Sequence, residues 1–174
     1  ERVHGTGLQA HLQGAGRGST IIQRATGSLA SGDTIYSGNI LMTTPYGTNG
    51  TPPTGVASAL SDITISDLTV DGNYSAFGAV DPSTPRHMGI HAEWVDGLII
   101  RDVEATNLLQ TGIQIYSSRN CLVTGCLVYL AGQYASASSR NGISFNANSP
   151  ARSNDYGIFC VISDCIVESI LDEA

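Results

Sequence analysis

Six polar side chains lie at matching positions in three short segments that each begin with glycine: GIHAEW, GIQIYS and GISFNA, from Gly89, Gly112 and Gly142. They are His91, Glu93, Gln114, Tyr116, Ser144 and Asn146. Arg119 and Arg140 lie near the same segments along the chain. Imidazole, phenol and guanidinium groups can act as a base, an acid and a positive charge that neutralises a carboxylate. Such a set could remove a proton from a carbon that lies next to a carboxylate.

These residue types lead to an assignment of roles. We predict that His91, Tyr116 and Arg140 are catalytic, as base, acid and neutraliser of the substrate carboxylate, with Arg119 as the alternative neutraliser. The residues predicted to bind substrate are Glu93, Gln114, Arg119, Ser144, Asn146 and Asp71. The sequence predicts no metal-ligand set and requires no cofactor, and Ca²⁺ stays open.

Alternation within the first glycine-led segment indicates which side chains face outward. If Ile90 and Ala92 face a core, His91 and Glu93 point to the opposite side of the strand. An inert solenoid would also carry polar outward residues, so catalysis, sugar binding without turnover and a structural role all stay open. Hydrolysis is disfavoured, because it needs two carboxyl groups roughly 5 to 9.5 Å apart and Glu93 has only distant carboxyl candidates.

The elements that must position these residues form a repeat. Four segments share apolar residues around a polar turn: ITISDLTVDGN from Ile63, LIIRDVEATN from Leu98, NCLVTGCLVYLAG from Asn120 and FCVISDCIVESIL from Phe159. The aligned apolar columns are Ile63, Leu98, Cys121 and Cys160; Ile65, Ile100, Val123 and Ile162; and Leu68, Val103, Cys126 and Cys165. This alternation is typical of two short strands that meet at a bend, and helical spacing does not fit it.

Aligned residues of successive copies, Ile63, Leu98, Cys121 and Cys160, are 35, 23 and 39 residues apart. These intervals fit a basic coil of about 23 residues with insertions in two of its three turns. Together with the glycine-led segment, each coil contains three short strands. Stacked coils satisfy one another's backbone hydrogen bonds. The sequence therefore predicts an all-β fold, a single-stranded parallel β-helix of about six or seven coils, as one domain over residues 1–174.

The four cysteines occupy two of these columns, so Cys121 is predicted to lie over Cys160 and Cys126 over Cys165. Buried thiols are the favoured interpretation, because a free cysteine in an apolar column behaves as a small hydrophobic residue. The Cys-x4-Cys spacing lacks the paired Cys-x2-Cys knuckles of common zinc sites. A disulfide between stacked coils stays open.

Composition excludes some classes of function. The net charge of −7 argues against nucleic acid as a partner. No apolar run approaches the roughly 18 residues of a membrane span, so no membrane partner is predicted. The chain has 174 residues, of which 41% are hydrophobic, which is enough for a substantial core.

A family resemblance adds to this interpretation. LQGAGRGSTII from Leu12, ISDLTVDGN from Ile65 and the glycine-led segments together resemble the pectate-lyase-like right-handed β-helix superfamily, over most of the chain from about residue 8. That superfamily includes polysaccharide lyases, mannuronan C5-epimerases and receptor-degrading bacteriophage tail spikes.

The resemblance implies a right-handed helix that binds an acidic, uronate-containing polysaccharide and cleaves it by β-elimination or epimerises it. It also implies an extracellular or virion-surface location. The alternative is a non-enzymatic structural or receptor-binding shaft module of a phage tail spike or surface fibre.

The nearest motif is the epimerase signature Tyr-Gly-Phe-Asp-Pro-His, which resembles residues 88–93. The glycine and the inward apolar residue match, whereas the Tyr, Asp, Pro and His positions hold Met, His, Ala and Glu in this chain. Arg140, in SSRNGISF, matches a catalytic arginine that precedes the glycine of a later coil in that family. By this resemblance, Arg140 is the one residue of this sequence that matches a catalytic residue of the epimerases.

The two ends of the sequence lead to a further expectation. The chain starts at Glu1 without Met, so we expect a mature product or an excised part of a longer chain. It stops soon after CVISDCIVESIL, which would leave Cys160, Ile162, Cys165 and Val167 at an uncovered edge. We therefore expect a homo-oligomer or a larger polypeptide to cover that edge.

Overall fold

The computed structural model describes residues 10–24, 41–43, 60–74, 88–132, 141–146 and 159–170. Within these residues, fourteen short strands form three sheets. Each pairing between neighbouring strands is parallel. None of the described segments forms a helix with the length and apolar character needed to span a membrane.

The strands are distributed so that the chain visits each sheet once per coil. The first sheet contains β1 (Ala10–Gln13), β4 (Leu60–Ser66), β7 (Val95–Arg101), β10 (Leu122–Thr124) and β13 (Val161–Ser163), in that order. The second contains β2 (Ile21–Gln23), β5 (Thr69–Asp71), β8 (Glu104–Thr106), β11 (Leu127–Tyr129) and β14 (Ile166–Glu168). The third contains β3 (Leu41–Thr43), β6 (Ile90–Glu93), β9 (Ile113–Tyr116) and β12 (Ile143–Asn146). This arrangement confirms the predicted parallel β-helix.

The described residues form five coils, whereas the sequence led us to expect six or seven. Four coils have three strands each, and the fifth consists of β13 and β14. The repeat alignment missed the first coil, in which Ala10 pairs with Ile63 and Leu12 with Ile65. The long connection between these partners conceals the period in the sequence.

The predicted apolar columns are confirmed by the strand register. Ile65 pairs with Ile100, Ile100 with Val123, and Val123 with Ile162. The first three are buried in the core, and Ile162, in the last described coil, is 45% exposed. Burial of aliphatic side chains along such columns stabilises the coils against separation by about 25 cal/mol for each Å² removed from water.

The turn between the first and second sheets repeats in four coils. The residues at this turn, Asp67, Asp102, Gly125 and Asp164, have φ angles of 59°, 52°, 61° and 53°. Glycine adopts this left-handed region readily, and Asp tolerates it better than most residues do because its short side chain can hydrogen-bond locally. Backbone geometry therefore explains the polar turn residues of the repeat.

Close packing explains the glycines that precede the third-sheet strands. A Cβ atom added to Gly112 would lie 2.3 Å from Val128 Cγ1 and 2.6 Å from the carbonyl oxygen of Gly142. No real Cβ approaches other atoms that closely, so a side chain there would push the coils apart. These glycines are required by the approach of neighbouring coils.

Cys121 and Cys160 lie in adjacent coils, as do Cys126 and Cys165, as the columns predict. All four are free thiols in this structure. Cys121 and Cys126 are buried, whereas Cys160 and Cys165 are only half-buried. The prediction that each whole pair is buried is therefore wrong for its second member. Cys160 and Cys165 belong to the last described coil, whose inward aliphatic residues are also partly exposed.

Candidate functional site

The candidate residues of the glycine-led segments are aligned across the third sheet. In β6 and β9, His91 pairs with Gln114 and Glu93 with Tyr116. In β9 and β12, Gln114 pairs with Ser144 and Tyr116 with Asn146. The structure therefore places these six side chains in two parallel rows, with successive coils about 4.8 Å apart.

The first two residues of these rows form a buried pair. His91 Nε2 lies 3.4 Å from Glu93 Oε2, and the two residues are 0% and 6% exposed. Ile90 and Ala92, at the alternate positions of the same strand, belong to the hydrophobic core. His91 and Glu93 therefore lie on the outer side of the sheet, as predicted, and both side chains are buried there.

Accessibility to solvent increases along the rows from the second coil to the fourth. Gln114 is 3% exposed, and its Oε1 has no hydrogen-bond partner among the residues that the structure describes. Tyr116 is half-buried, with its ring centroid 6.3 Å from that of His91. Ser144 and Asn146 are also half-buried, and the Asn146 amide donates to Ser144 Oγ at 3.3 Å. Tyr116 is thus more accessible to solvent than the buried His91 beside it.

Arg119 is held by an acidic residue of the preceding coil. Its guanidinium donates to Asp96 Oδ2 from Nε at 2.8 Å and from Nη2 at 2.6 Å. The Asn120 amide donates to the other oxygen, Oδ1, at 2.7 Å. The hydrogen bond from Arg119, aided by that from Asn120 and by the charge of Arg119, lowers the pKa of Asp96, and desolvation opposes the shift. The structure therefore gives Arg119 a carboxylate partner within the protein.

Two other predicted residues lie apart from this group. Asp71 belongs to the second sheet, and its carboxylate accepts hydrogen bonds from the Gln23 amide at 2.7 Å, the Asn73 backbone at 2.7 Å and the Asn107 amide at 3.1 Å. These bonds tie three coils together at one corner. Arg140 lies outside the described residues, so its predicted catalytic position stays a prediction.

The residues that sequence reasoning missed are Asp96 and Asn120, the partners that engage Arg119. A signal for the first was present, because Asp96 and Arg119 are 23 residues apart, the length of the basic coil. Residues separated by one coil length lie side by side in adjacent coils. No group of three or more His, Cys, Asp or Glu side chains suited to a metal ion occurs in the part of the chain that the structure describes.

The arrangement on the third sheet can support proton transfer. A carboxylate next to an imidazole orients the ring and stabilises its protonated form. A tyrosine near the same ring offers a phenolic proton. The Glu93, His91 and Tyr116 side chains together provide a positioned base and a nearby acid.

Comparisons with known proteins agree with the fold. A family model described as "Right handed beta helix region" matches residues 9–170 of the chain. A search of curated proteins gave no significant match. A search of solved structures also gave none.

Proposed function

Since the chain belongs to the right-handed beta-helix region family, we propose that it binds an acidic, uronate-containing polysaccharide and acts on it by β-elimination or epimerisation. The proposed site is the outer side of the third sheet. A polymer of this kind is found outside cells, so the proposal includes an extracellular or virion-surface location.

The observation that carries the proposal is the pairing of His91 with Glu93 beside Tyr116. His91 takes the C5 proton of a uronate unit, and the Glu93 carboxylate, 3.4 Å from Nε2, stabilises the resulting imidazolium. In β-elimination the C5–H electron pair forms the C4=C5 double bond. The C4–O bond then breaks, and the departing oxygen takes the Tyr116 proton.

Epimerisation uses the same first step and a different second one. After His91 has removed the C5 proton, an acid on the opposite face of the sugar returns a proton to C5, and no bond of the polymer breaks. Tyr116 is half-buried and can serve as that acid. The two reactions therefore differ in the fate of the C4–O bond.

The more accessible end of the rows is suited to sugar binding. Ser144 and Asn146 offer a hydroxyl and an amide that can exchange hydrogen bonds with sugar hydroxyls. Since His91 is 0% exposed, turnover requires the outer side of the third sheet to open before a polymer reaches the imidazole. Initial binding at Ser144 and Asn146 would bring the polymer next to Tyr116.

Incubation of the full chain with a panel of uronate polysaccharides tests this function. We expect a rise in the ultraviolet absorbance of the unsaturated sugar for a lyase, or exchange of the C5 hydrogen in D₂O for an epimerase. His91→Gln should abolish either signal while the circular dichroism spectrum is unchanged. His11→Gln, which alters an exposed histidine of the first sheet, is the matched control and should retain full turnover.

A specific observation favours a second candidate, a non-enzymatic shaft or receptor-binding module. His91, Glu93 and Gln114 are buried, and Arg119 forms an ion pair with Asp96. These side chains therefore contact other parts of the protein, as expected if their role is to stabilise the fold. Binding of a polysaccharide with neither an unsaturated product nor C5 exchange would support this candidate and contradict catalysis. If the protein neither binds nor alters any polymer of the panel, the sugar-active proposal is wrong.

A further inference from the structure

The first of two stacked thiol pairs joins the fourth and fifth coils. Leu122 pairs in register with Val161, so the residues before them, Cys121 and Cys160, lie over each other. The Val161 amide donates to the Cys121 carbonyl at 2.9 Å, which fixes this register. The Cys160 thiol donates to the Ser118 carbonyl of the preceding coil at 3.7 Å. Its sulfur therefore leans toward the coil that holds Cys121.

The second pair repeats this geometry on the other side of the turn. The Ile166 amide donates to the Cys126 carbonyl at 2.9 Å, so Cys126 and Cys165 are also in register. The Cys165 thiol donates to the Val123 carbonyl at 3.7 Å, again toward the preceding coil. The Cys165 thiol also donates to the Ser163 carbonyl of its own coil at 3.2 Å. Each thiol of the fifth coil is a side-chain neighbour of a thiol of the fourth, Cys160 of Cys121 and Cys165 of Cys126.

Stacked strands bring cysteine backbones to a separation that suits a disulfide. Adjacent strands lie about 4.8 Å apart, within the Cα separation of about 4.4 to 6.8 Å found in disulfides. The Cβ atoms, at about the same spacing, must approach by a few tenths of an ångström to reach the usual range of about 3.5 to 4.5 Å. Cys160 and Cys165 are half-buried, so the fifth coil is the less tightly packed partner and can move.

We propose that Cys121 with Cys160, and Cys126 with Cys165, are modification sites that oxidise to two inter-coil disulfides by exchange with a low-molecular-weight disulfide. The Cys160 thiolate attacks the small disulfide, forms a mixed disulfide and releases one small thiol. The Cys121 thiolate then attacks Cys160 Sγ and releases the second. Each pair loses two electrons and two protons, and each small disulfide is reduced to two thiols.

The order of attack follows from burial. Desolvation, and after it the neighbouring Cys160, raises the pKa of Cys121 to about 12. Desolvation likewise raises the pKa of Cys126 to about 12. The thiolate is the reactive form, so the half-buried thiols of the fifth coil react first. The resolving step should accelerate about tenfold for each pH unit in the range below these pKa values.

The disulfides would cross-link two consecutive coils whose stacked strands otherwise interact only through non-covalent contacts. The first bond would close the chain between Cys121 and Cys160, a segment that contains Ser144 and Asn146 of β12. A cross-link over such a segment raises the melting temperature of a domain of this size by roughly 5 to 15 °C. The strand β12 would then lie within the segment of chain that the disulfide closes. This proposal does not depend on the proposed function.

The test uses the full chain, first reduced and then exposed to oxidised glutathione at about pH 8.5, near the pKa of an ordinary thiol. We expect all four thiols to disappear and peptide mapping without reduction to give the Cys121–Cys160 and Cys126–Cys165 links. Cys160→Ser should retain only the second link, and Cys165→Ser only the first. Dithiothreitol should restore four thiols and the lower melting temperature.

Several outcomes would overturn the proposal. They are retention of four thiols after oxidation, links within one coil such as Cys121–Cys126, stable adducts with glutathione, and links between molecules on a non-reducing gel. A pair that keeps both thiols while the other oxidises is not a modification site. The map on the unmutated protein decides the matter even if a serine variant fails to fold.

Discussion

Arg119 donates two hydrogen bonds to one carboxylate oxygen of Asp96, at 2.8 Å from Nε and 2.6 Å from Nη2, and so links two consecutive coils through side chains. The same two residues form an isolated parallel bridge through their backbones. Their side chains are 26% and 30% exposed. The pair thus reinforces the corner at which the chain passes from the third sheet back to the first.

Arg119→Ala should lower the free energy of unfolding by about 1 kcal/mol at about pH 7. Because the pKa of Asp96 is lowered in the folded state, the ion pair stabilises the protein above the ordinary pKa of Asp, and this contribution is lost as the pH falls through the lowered value. Urea unfolding at about pH 7 and about pH 3 should show a smaller acid-induced loss for the variant. Arg101→Ala, at an exposed position of the first sheet, is the control. Equal effects of both variants would contradict this role of Arg119.

Ile100→Asp should unfold the domain, because Ile100 is 0% exposed in the core. An unpaired buried charge costs several kcal/mol, against a total stability of about 5 to 15 kcal/mol. Ile99→Asp is the matched control, since the neighbouring side chain points outward and is 38% exposed. Thermal unfolding followed by circular dichroism measures both. A cooperative transition of Ile100→Asp at the wild-type temperature would show that the column is not a core.

Asp71→Ala should destabilise the protein by about 1 to 3 kcal/mol, because it removes the acceptor of three hydrogen bonds, from Gln23, Asn73 and Asn107. Glu168→Ala, at an exposed position of the second sheet, should change stability little. Denaturant titration of both variants measures the difference. If Asp71→Ala keeps its stability but binds polysaccharide more weakly, Asp71 has the substrate-binding role that the sequence predicts.

Tyr116→Phe should reduce kcat by on the order of 100-fold to 10,000-fold and leave KM nearly unchanged, if Tyr116 supplies the proton of the proposed reaction. The substitution removes one hydroxyl and keeps the ring near His91. Tyr129→Phe, which removes the hydroxyl that donates to Glu104 on the second sheet, should leave kcat unchanged. Steady-state kinetics on the responding polysaccharide measure both. Undiminished kcat for Tyr116→Phe would assign the acid to another residue.

Most of the fold could be predicted, because the residue pattern that specifies each strand and turn lies within a short segment of the sequence. Alternation around each turn identifies the residues of the column from Ile65 to Ile162, and the repeat interval identifies which of them stack. The first coil was left out of the four-copy repeat alignment because a long segment separates Ala10 from its partner Ile63. Where the number of residues between two stacked strands is much larger than the length of the basic coil, periodicity alone cannot show which strands pair.

For His91 and Glu93, the side of the strand could be predicted from the sequence, but the accessibility to solvent could not. Alternation places His91 and Glu93 on the outer side of their strand, and the structure agrees. Whether an outer side is open to solvent depends on segments distant in sequence, so local periodicity could not predict that His91 is 0% exposed. Arg119 forms an ion pair with Asp96 because the two residues are separated by one coil length along the chain and lie side by side. Residue type alone does not reveal this relationship.

The stacking of coils makes strand alignment independent of connection length. The strands β4, β7, β10 and β13 keep one register although they are unequally spaced along the chain, and the coil between β7 and β10 is the shortest of the three. A shift of one residue within a strand would turn its core side chains outward. Extra residues between strands cost only a slowly growing closure entropy. Evolution can therefore lengthen, shorten or exchange the connecting segments, and with them the recognition properties of the surface, while the interior stays unchanged.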